Sequence, residues 1–112
     1  MKDNVVYLYH INDCIVKIQK YTDNISLDEF LSQSVIQDAV IRNFEIIGEA
    51  TKNLSSGLRR KYPDIEWKKI AGMRDKLIHD YLGVDLWAIW AVVVDVIPEF
   101  KIKIQDIINE ES

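Results

Sequence analysis

The sequence predicts an all-α fold, an antiparallel bundle of four or five helices. Apolar residues recur at spacings of three and four along most of the chain, which is typical of amphipathic helices. No stretch shows sustained alternation of apolar and polar residues, and no Asn-Gly or Asp-Gly turn joins two strand-like runs. The sequence also lacks internal repeats and linkers, so the helices are expected to pack through short loops as one bundle.

Two helical regions are predicted in the first half of the chain. The first covers residues 4–21, and its apolar stripe consists of Val5, Leu8, Ile11, Ile15 and Ile18. The second begins at Ser26, because Ser26 and Glu29 have the spacing of a capping box, which satisfies free backbone N–H groups. It continues, with a break near residues 32–34, until the segment Ser55–Gly57 ends it.

Two more helices are predicted in the second half. Helical spacing resumes at Trp67 and ends near Gly83, which suits a helix C-cap. Asp85 is well placed as the N-cap of the last helix. Pro98 has no backbone N–H and must kink or restart that helix.

Length and composition indicate one soluble domain over residues 1–112. Hydrophobic residues make up 48% and charged residues 29% of the chain, as in ordinary globular proteins. The longest apolar run, Leu86–Val94, is about half of the roughly 20 residues that a membrane span needs. The first residues lack the apolar segment of a signal peptide. We therefore expect a cytoplasmic protein that has no membrane partner.

The charge is unevenly distributed. The formal net charge of −4 argues against a DNA-coating protein, so DNA is not an expected partner. Between Lys52 and Lys76, however, eight basic residues stand against three acidic ones, a local charge of +5. Such a run is usually a solvated face. A local nucleic-acid footprint remains the alternative.

Few side chains can carry acid–base or metal chemistry. Cys14 is the only cysteine, which excludes an internal disulfide or a multi-cysteine metal site, and its apolar setting predicts a buried, inert thiol. His10 lies inside the first predicted helix, where a lone histidine is usually a packed or surface residue. His79 is the better candidate, since Arg74, His79 and Tyr81 fall within one stretch of eight residues close to a predicted helix end.

These residue types fit metal-free cleavage of RNA. The reaction needs a base for the 2′-hydroxyl proton, an acid for the leaving 5′-oxygen and a cation for the phosphorane. The imidazole of His79 suits the proton transfers because its pKa lies near neutrality. The guanidinium of Arg74 matches two phosphate oxygens, and the phenol of Tyr81 can donate a further hydrogen bond. Polar residues at a helix end without any catalytic role are the alternative.

Helical geometry separates these candidates. At about 100° per residue, Arg74 and Tyr81 differ by roughly 20°, but His79 lies roughly 140° from Arg74. Two arrangements could complete a site. The helix unwinds around His79 and Asp80, or a second copy contributes the motif across a two-fold axis. A dimer would also supply two histidines, one as base and one as acid.

Residues 74–81 match the R-x4-H-x-Y signature of HEPN-domain toxins, including the polar residue Asp75 after the arginine. Residues 42–50, 67–73 and 83–85 also resemble segments of the HepT family, in the same order and at similar spacing. Glu66 departs from the family pattern, which often has proline before the tryptophan.

The resemblance implies a HEPN homodimer whose motifs face a shared cleft, and metal-independent endoribonuclease activity without a cofactor. It also implies a partner, a minimal nucleotidyltransferase antitoxin, which in related pairs transfers AMP from ATP onto the motif tyrosine, here Tyr81. The RNA substrate is expected to be tRNA or mRNA. Arg74 and His79 would be catalytic and Asp75 would orient Arg74.

Three alternatives remain at the level of sequence. Arg42 and Asn43 are weaker candidates for the cleft wall, because Arg42 could instead belong to a surface ion-pair ladder with Glu45. The chain could be a HEPN dimer that holds nucleotide, RNA or the partner without cutting. It could also be a structural dimer in which Trp87 and Trp90 serve association only.

Overall fold

Helices account for nearly all of the backbone that the structure describes. The computed structural model describes residues 3–79 and 85–112, with side chains for residues 4–73 and 85–112. The helices in these ranges are α1 (Asp3–Thr22), α2 (Leu27–Ser32), α3 (Ser34–Lys52), α4 (Ser56–Lys61), α5 (Trp67–His79), α6 (Leu86–Ala91), a π-helical segment (Val92–Val96) and α7 (Ile97–Glu111). No strand occurs in the described ranges, and the all-α prediction is confirmed.

The four long helices, α1, α3, α5 and α7, run antiparallel to their packing neighbours. Asn4, at the start of α1, exchanges hydrogen bonds of 2.9 and 3.0 Å with Ser55, just beyond the end of α3. The end of α1 and the start of α7 line one groove. Asp64, just before α5, lies 3.5 Å from Lys103 in the middle of α7, whereas Met73 lies beside Val92. This arrangement is the predicted antiparallel bundle.

The core is built from the predicted apolar stripes. The apolar side chains with no exposed surface are Leu8, Ile11, Ile15, Ile18, Phe30, Val40, Ile47 and Ile104. Burial of one such side chain contributes about 1.5–3 kcal/mol, so the stripes of α1 and α3 supply much of the stability. Cys14 lies in the same core and its burial raises the pKa of the thiol, as the sequence predicted. In the described ranges no helix combines the length and apolar character that crossing a bilayer requires.

Side-chain caps begin all three short helices. Ser26 forms the predicted capping box with Glu29 at the start of α2, and Asp85 caps α6 by accepting from Ala88 N at 3.1 Å. The prediction for Ser55–Gly57 was wrong: α3 ends at Lys52, and Ser55 Oγ instead accepts from Leu58 N and begins α4. Serine is common both as an N-cap and in loops, and Ser55 also exchanges two hydrogen bonds with Asn4 at the start of α1.

Pro98 restarts the last helix, as predicted. Proline lacks the N–H that would bond four residues back, so the backbone widens before it into the π-helical segment. The N–H of Ile97 donates to the carbonyl of Val92, five residues earlier, and α7 begins there with Pro98 in its first turn.

A polar cluster fastens the end of α7 to the segment between α4 and α5. Glu111 accepts hydrogen bonds from Lys61 Nζ at 2.8 Å and from Tyr62 Oη at 2.6 Å. These two donors lower the pKa of Glu111. Burial and the same carboxylate raise the pKa of Tyr62, and the carboxylate also raises the pKa of Lys61.

Replacing Tyr62 by phenylalanine should lower the free energy of unfolding at neutral pH by about 1 kcal/mol, the net value of one hydrogen bond. Because the folded pKa of Glu111 is lowered, its contribution exists above its ordinary pKa of 4.5 and disappears as the pH falls through the lower folded value. The difference between parent and variant should therefore shrink in acid. Denaturant unfolding of both proteins over this range measures it.

The control is Tyr21→Phe, which alters an exposed ring and should leave the free energy of unfolding unchanged. If Tyr62→Phe were as stable as the parent at neutral pH, the hydrogen bond to Glu111 would contribute nothing to the fold.

Candidate functional site

The second half of α5 carries Arg74 and His79 of the predicted motif. Trp67, the first residue of α5, is fixed by burial and by a hydrogen bond. Trp67 is 6% exposed and its Nε1 donates to the carbonyl of Tyr62 at 2.9 Å. Despite the departure at Glu66, the first turn forms, because the carbonyl of Glu66 accepts from Ile70 N at 3.1 Å. The buried Trp67 therefore anchors the start of α5, and the helix that follows carries the backbone of positions 74 to 79.

The structure does not bring positions 74 and 79 to one face of α5. The helix is regular through His79, so these positions lie about 140° apart around its axis. Position 74 continues the strip of Trp67 and Ala71, both buried. The predicted unwinding around His79 and Asp80 has not begun at His79, the last described residue of α5, and Asp80 lies outside the described residues.

Three further predicted residues lie wholly or partly outside the described part of the chain. Tyr81 and the predicted C-cap Gly83 lie outside the described residues. Asp75 lies on α5 next to Arg74, but the described side chains end at Met73. The chain is described again from Asp85, whose side chain caps the start of α6.

Arg42 and Asn43 lie midway along α3, which packs against both α1 and α5. Arg42 is exposed and makes no ion pair with Glu45 in the described part of the chain. Asn43 is 6% exposed, and its Nδ2 donates to the carbonyl of Ala39 at 2.8 Å. The described hydrogen bond of the Asn43 side chain is thus made within α3. A role for Arg42 or Asn43 in a cleft wall stays a prediction.

Part of the basic run between Lys52 and Lys76 is neutralised by acidic side chains. Lys61 pairs with Glu111 at 2.8 Å, and Lys69 pairs with Glu66 at 3.3 Å. Lys68, directly beside Lys69 in sequence, is exposed and makes no ion pair within the described residues. Of the two lysines on α5 whose side chains the structure describes, Lys69 is therefore paired and Lys68 is not.

Two of the open grooves in the described part of the chain flank the long helices, and Arg42, Asn43 and His10 do not line them. One, of about 380 Å³, lies between α5 and α7 and includes Met73, the residue before Arg74. The other, of about 750 Å³, lies where α1 ends and α7 begins. His10 is exposed, with its ring edge-on to Tyr7, so of the two predicted settings, packed or surface, it has the surface one. Among the described residues no group of three His, Cys, Asp or Glu side chains could hold a metal ion.

The part of the chain that the structure describes is all-helical, and α5 carries the positions of Arg74 and His79. The family model described as "Ribonuclease HepT-like" matches residues 11–107, which is most of the chain. The chain belongs to the HepT-like ribonuclease family. No solved structure matches it.

Curated relatives carry names of the same kind. "Putative RNase TTE0752" of Caldanaerobacter subterraneus is 42% identical over the full length of both chains. "Probable ribonuclease HepT" of Thermococcus cleftensis is 44% identical over 88% of this chain and 90% of its own length. "Gamma-glutamylcyclotransferase and putative RNase MJ0434" of Methanocaldococcus jannaschii is 49% identical over 97% of this chain. The chain spans about half the length of that relative, 49%.

Proposed function

We propose that this chain is a metal-independent endoribonuclease, a single HEPN domain over residues 1–112 that acts as the toxin of a type VII-like toxin–antitoxin system in the cytoplasm. One observation carries the proposal: the R-x4-H-x-Y sequence occupies α5 and the residues after it in a chain of the HepT-like ribonuclease family. The ribonuclease names of relatives at 41–49% identity support it.

The proposed reaction is transesterification of RNA. Arg74 binds the scissile phosphate with its two-pronged guanidinium, and a His79 imidazole takes the proton of the 2′-hydroxyl. The 2′-oxygen attacks phosphorus, the bond to the 5′-oxygen breaks, and an imidazolium gives that oxygen a proton. The products carry a 2′,3′-cyclic phosphate and a 5′-hydroxyl. Asp75 orients Arg74, and Tyr81 donates one hydrogen bond to the phosphate.

We propose that the site is shared between two copies of the chain. Positions 74 and 79 lie on different faces of the regular helix α5, so one α5 presents only part of the motif to any one cleft. A two-fold axis beside α5 supplies the missing group from the second copy, and it provides both a histidine base and a histidine acid. Arg42 and Asn43, midway along the adjacent α3, are the candidates for the cleft wall.

The proposed antitoxin is a minimal nucleotidyltransferase that transfers AMP from ATP to the phenol oxygen of Tyr81. The phenol oxygen attacks the α-phosphorus of ATP, and pyrophosphate leaves. The new phosphodiester places negative charge and a nucleotide beside Arg74 and His79, where it competes with the RNA phosphate. Modification would thus block substrate binding without unfolding the bundle.

Substitution of His79 by alanine should abolish cleavage of total tRNA or mRNA, with a loss of about 10² to 10⁴ in rate if only one proton transfer fails. Cleavage is measured on gels in the presence of EDTA, and the product ends are analysed. The matched control is His10→Ala, because His10 is the other histidine and is exposed on α1. Equal cleavage by the His79 variant and the parent would refute the assignment, and RNA binding without fragments from the parent would favour a non-catalytic module.

Arg74→Lys should be nearly as damaging as Arg74→Ala, because an ammonium keeps the charge but cannot bind two phosphate oxygens at once. Single-turnover cleavage rates of the two variants test this. Arg60→Lys on α4, an exposed arginine away from the motif, is the control and should cut at the parent rate. A fast Arg74→Lys enzyme would mean that position 74 acts only as a distant charge.

Tyr81→Phe should keep measurable nuclease activity and resist neutralisation. Loss of one hydrogen bond to a charged group costs on the order of 1.5–3 kcal/mol, which slows cleavage without erasing it. Without the phenol oxygen the variant cannot accept AMP. Intact mass and RNA cleavage are measured with and without the nucleotidyltransferase and ATP, with Tyr21→Phe, an exposed tyrosine, as control. Addition of AMP to the Tyr81 variant would exclude this residue as the target.

A further inference from the structure

Gly72 lies in the middle of α5, where nothing within the described chain requires glycine. Its φ is not in the left-handed region, so the backbone conformation is open to any residue. A Cβ built at this position would meet no atom within 4 Å in the described part of the structure. Glycine is a poorer helix former than alanine, and here it destabilises α5 without relieving any internal contact. The space beside the Cα of Gly72 is therefore not filled by the described residues.

Gly72 shares a strip of α5 with the catalytic histidine position. Lys68, Gly72 and His79 are spaced by four and seven residues, which puts them within about 40° around the helix axis. This strip is separate from the buried strip of Trp67 and from the side of Met73 that lines the groove to α7. Along the axis it extends about 16 Å from Lys68 to His79 at 1.5 Å per residue.

The strip also carries an exposed cation. Lys68 makes no ion pair within the described residues, whereas Lys69, its neighbour on the α7 side, is paired with Glu66. An exposed cation one turn from a glycine without internal function suits an anionic ligand that approaches the helix backbone closely.

We propose that the strip Lys68–Gly72–His79 is the track on α5 along which the RNA sugar–phosphate backbone runs. The missing side chain of Gly72 lets the backbone lie against the helix, and Lys68 binds a phosphate next to the one that is cleaved beside His79. Gly72 is a positioning residue that acts by clearance, and Lys68 is an RNA-binding residue. This inference rests on the proposed ribonuclease function and identifies which side of α5 the substrate occupies.

The test is RNA binding in a His79→Ala background, where the RNA remains intact. A short fluorescein-labelled single-stranded RNA is titrated with Gly72→Ala and with Gly57→Ala, each carrying His79→Ala. Gly57 is the matched control, because it is also helical and a Cβ there would meet only Ser55 Oγ at an ordinary 3.9 Å. Gly72→Ala should weaken binding about tenfold or more, as small displacements of bound substrate do, without lowering the melting temperature. Gly57→Ala should bind like the background protein.

Lys68→Gln provides a second, independent readout against Lys69→Gln. Loss of one phosphate contact should reduce the salt dependence of binding by about 0.7 in the slope of log Kd against log salt for a single strand. The neighbouring Lys69→Gln, whose charge already pairs with Glu66, should leave the slope unchanged. Equal slopes for both lysine variants would contradict the track.

The outcomes separate the two hypotheses. Equal RNA affinity of the Gly72 and Gly57 variants, with the parent still cutting RNA, overturns the track alone. Weaker binding by Gly72→Ala in a protein whose parent never cuts RNA supports the track and overturns the nuclease proposal. If sedimentation shows that Gly72→Ala dissociates a dimer while RNA affinity is retained, the clearance serves a second copy and the track is wrong.

Discussion

Burial of the apolar stripes of α1 and α3 against each other is the constraint on which the rest of the molecule depends. Ile11, Ile15 and Ile47 have no exposed surface, and α3 uses its remaining inward side to hold α5. The order of packing is therefore α1 on α3 and α3 on α5. Any change that loosens the packing of α1 on α3 would therefore also displace α5, which carries Arg74 and His79.

Helix α5 serves the core and the proposed site with different strips. Trp67 and Ala71 are buried, and position 74 follows them on the same strip, so the proposed phosphate-binding arginine stands where the core stripe runs out. The histidine position lies on an outward strip. On a regular helix, positions 74 and 79 fall on different strips, and this separation is the physical reason for proposing a second chain at the site.

The sequence was sufficient for those features that depend on local chemistry. Periodicity identified the long helices, and the caps at Ser26 and Asp85 and the restart at Pro98 follow from the hydrogen-bonding groups of those residues. Periodicity could not identify contacts between distant residues. The bond between Tyr62 and Glu111 joins positions 49 residues apart, and the bond between Asn4 and Ser55 that accompanies the start of α4 spans 51 residues.

The candidate site shows the same limit. The motif residues are predicted from their types and spacing, but the clearance at Gly72 is visible only in the three-dimensional structure. The spacing signal did exist, since Gly72 and Lys68 precede His79 by seven and eleven residues, which is two and three helical turns. This spacing could not be interpreted before it was known which strips of α5 are buried against the other helices.

Ion pairing determines which basic residues between Lys52 and Lys76 keep an uncompensated charge. Acidic residues at the start of α5 and the end of α7 compensate Lys61 and Lys69, so their field largely cancels at short range. Lys68, with no such partner among the described residues, keeps its field and lies on the strip that leads to His79. A chain with a net charge of −4 can in this way keep a local positive charge that attracts a phosphate to one side of one helix.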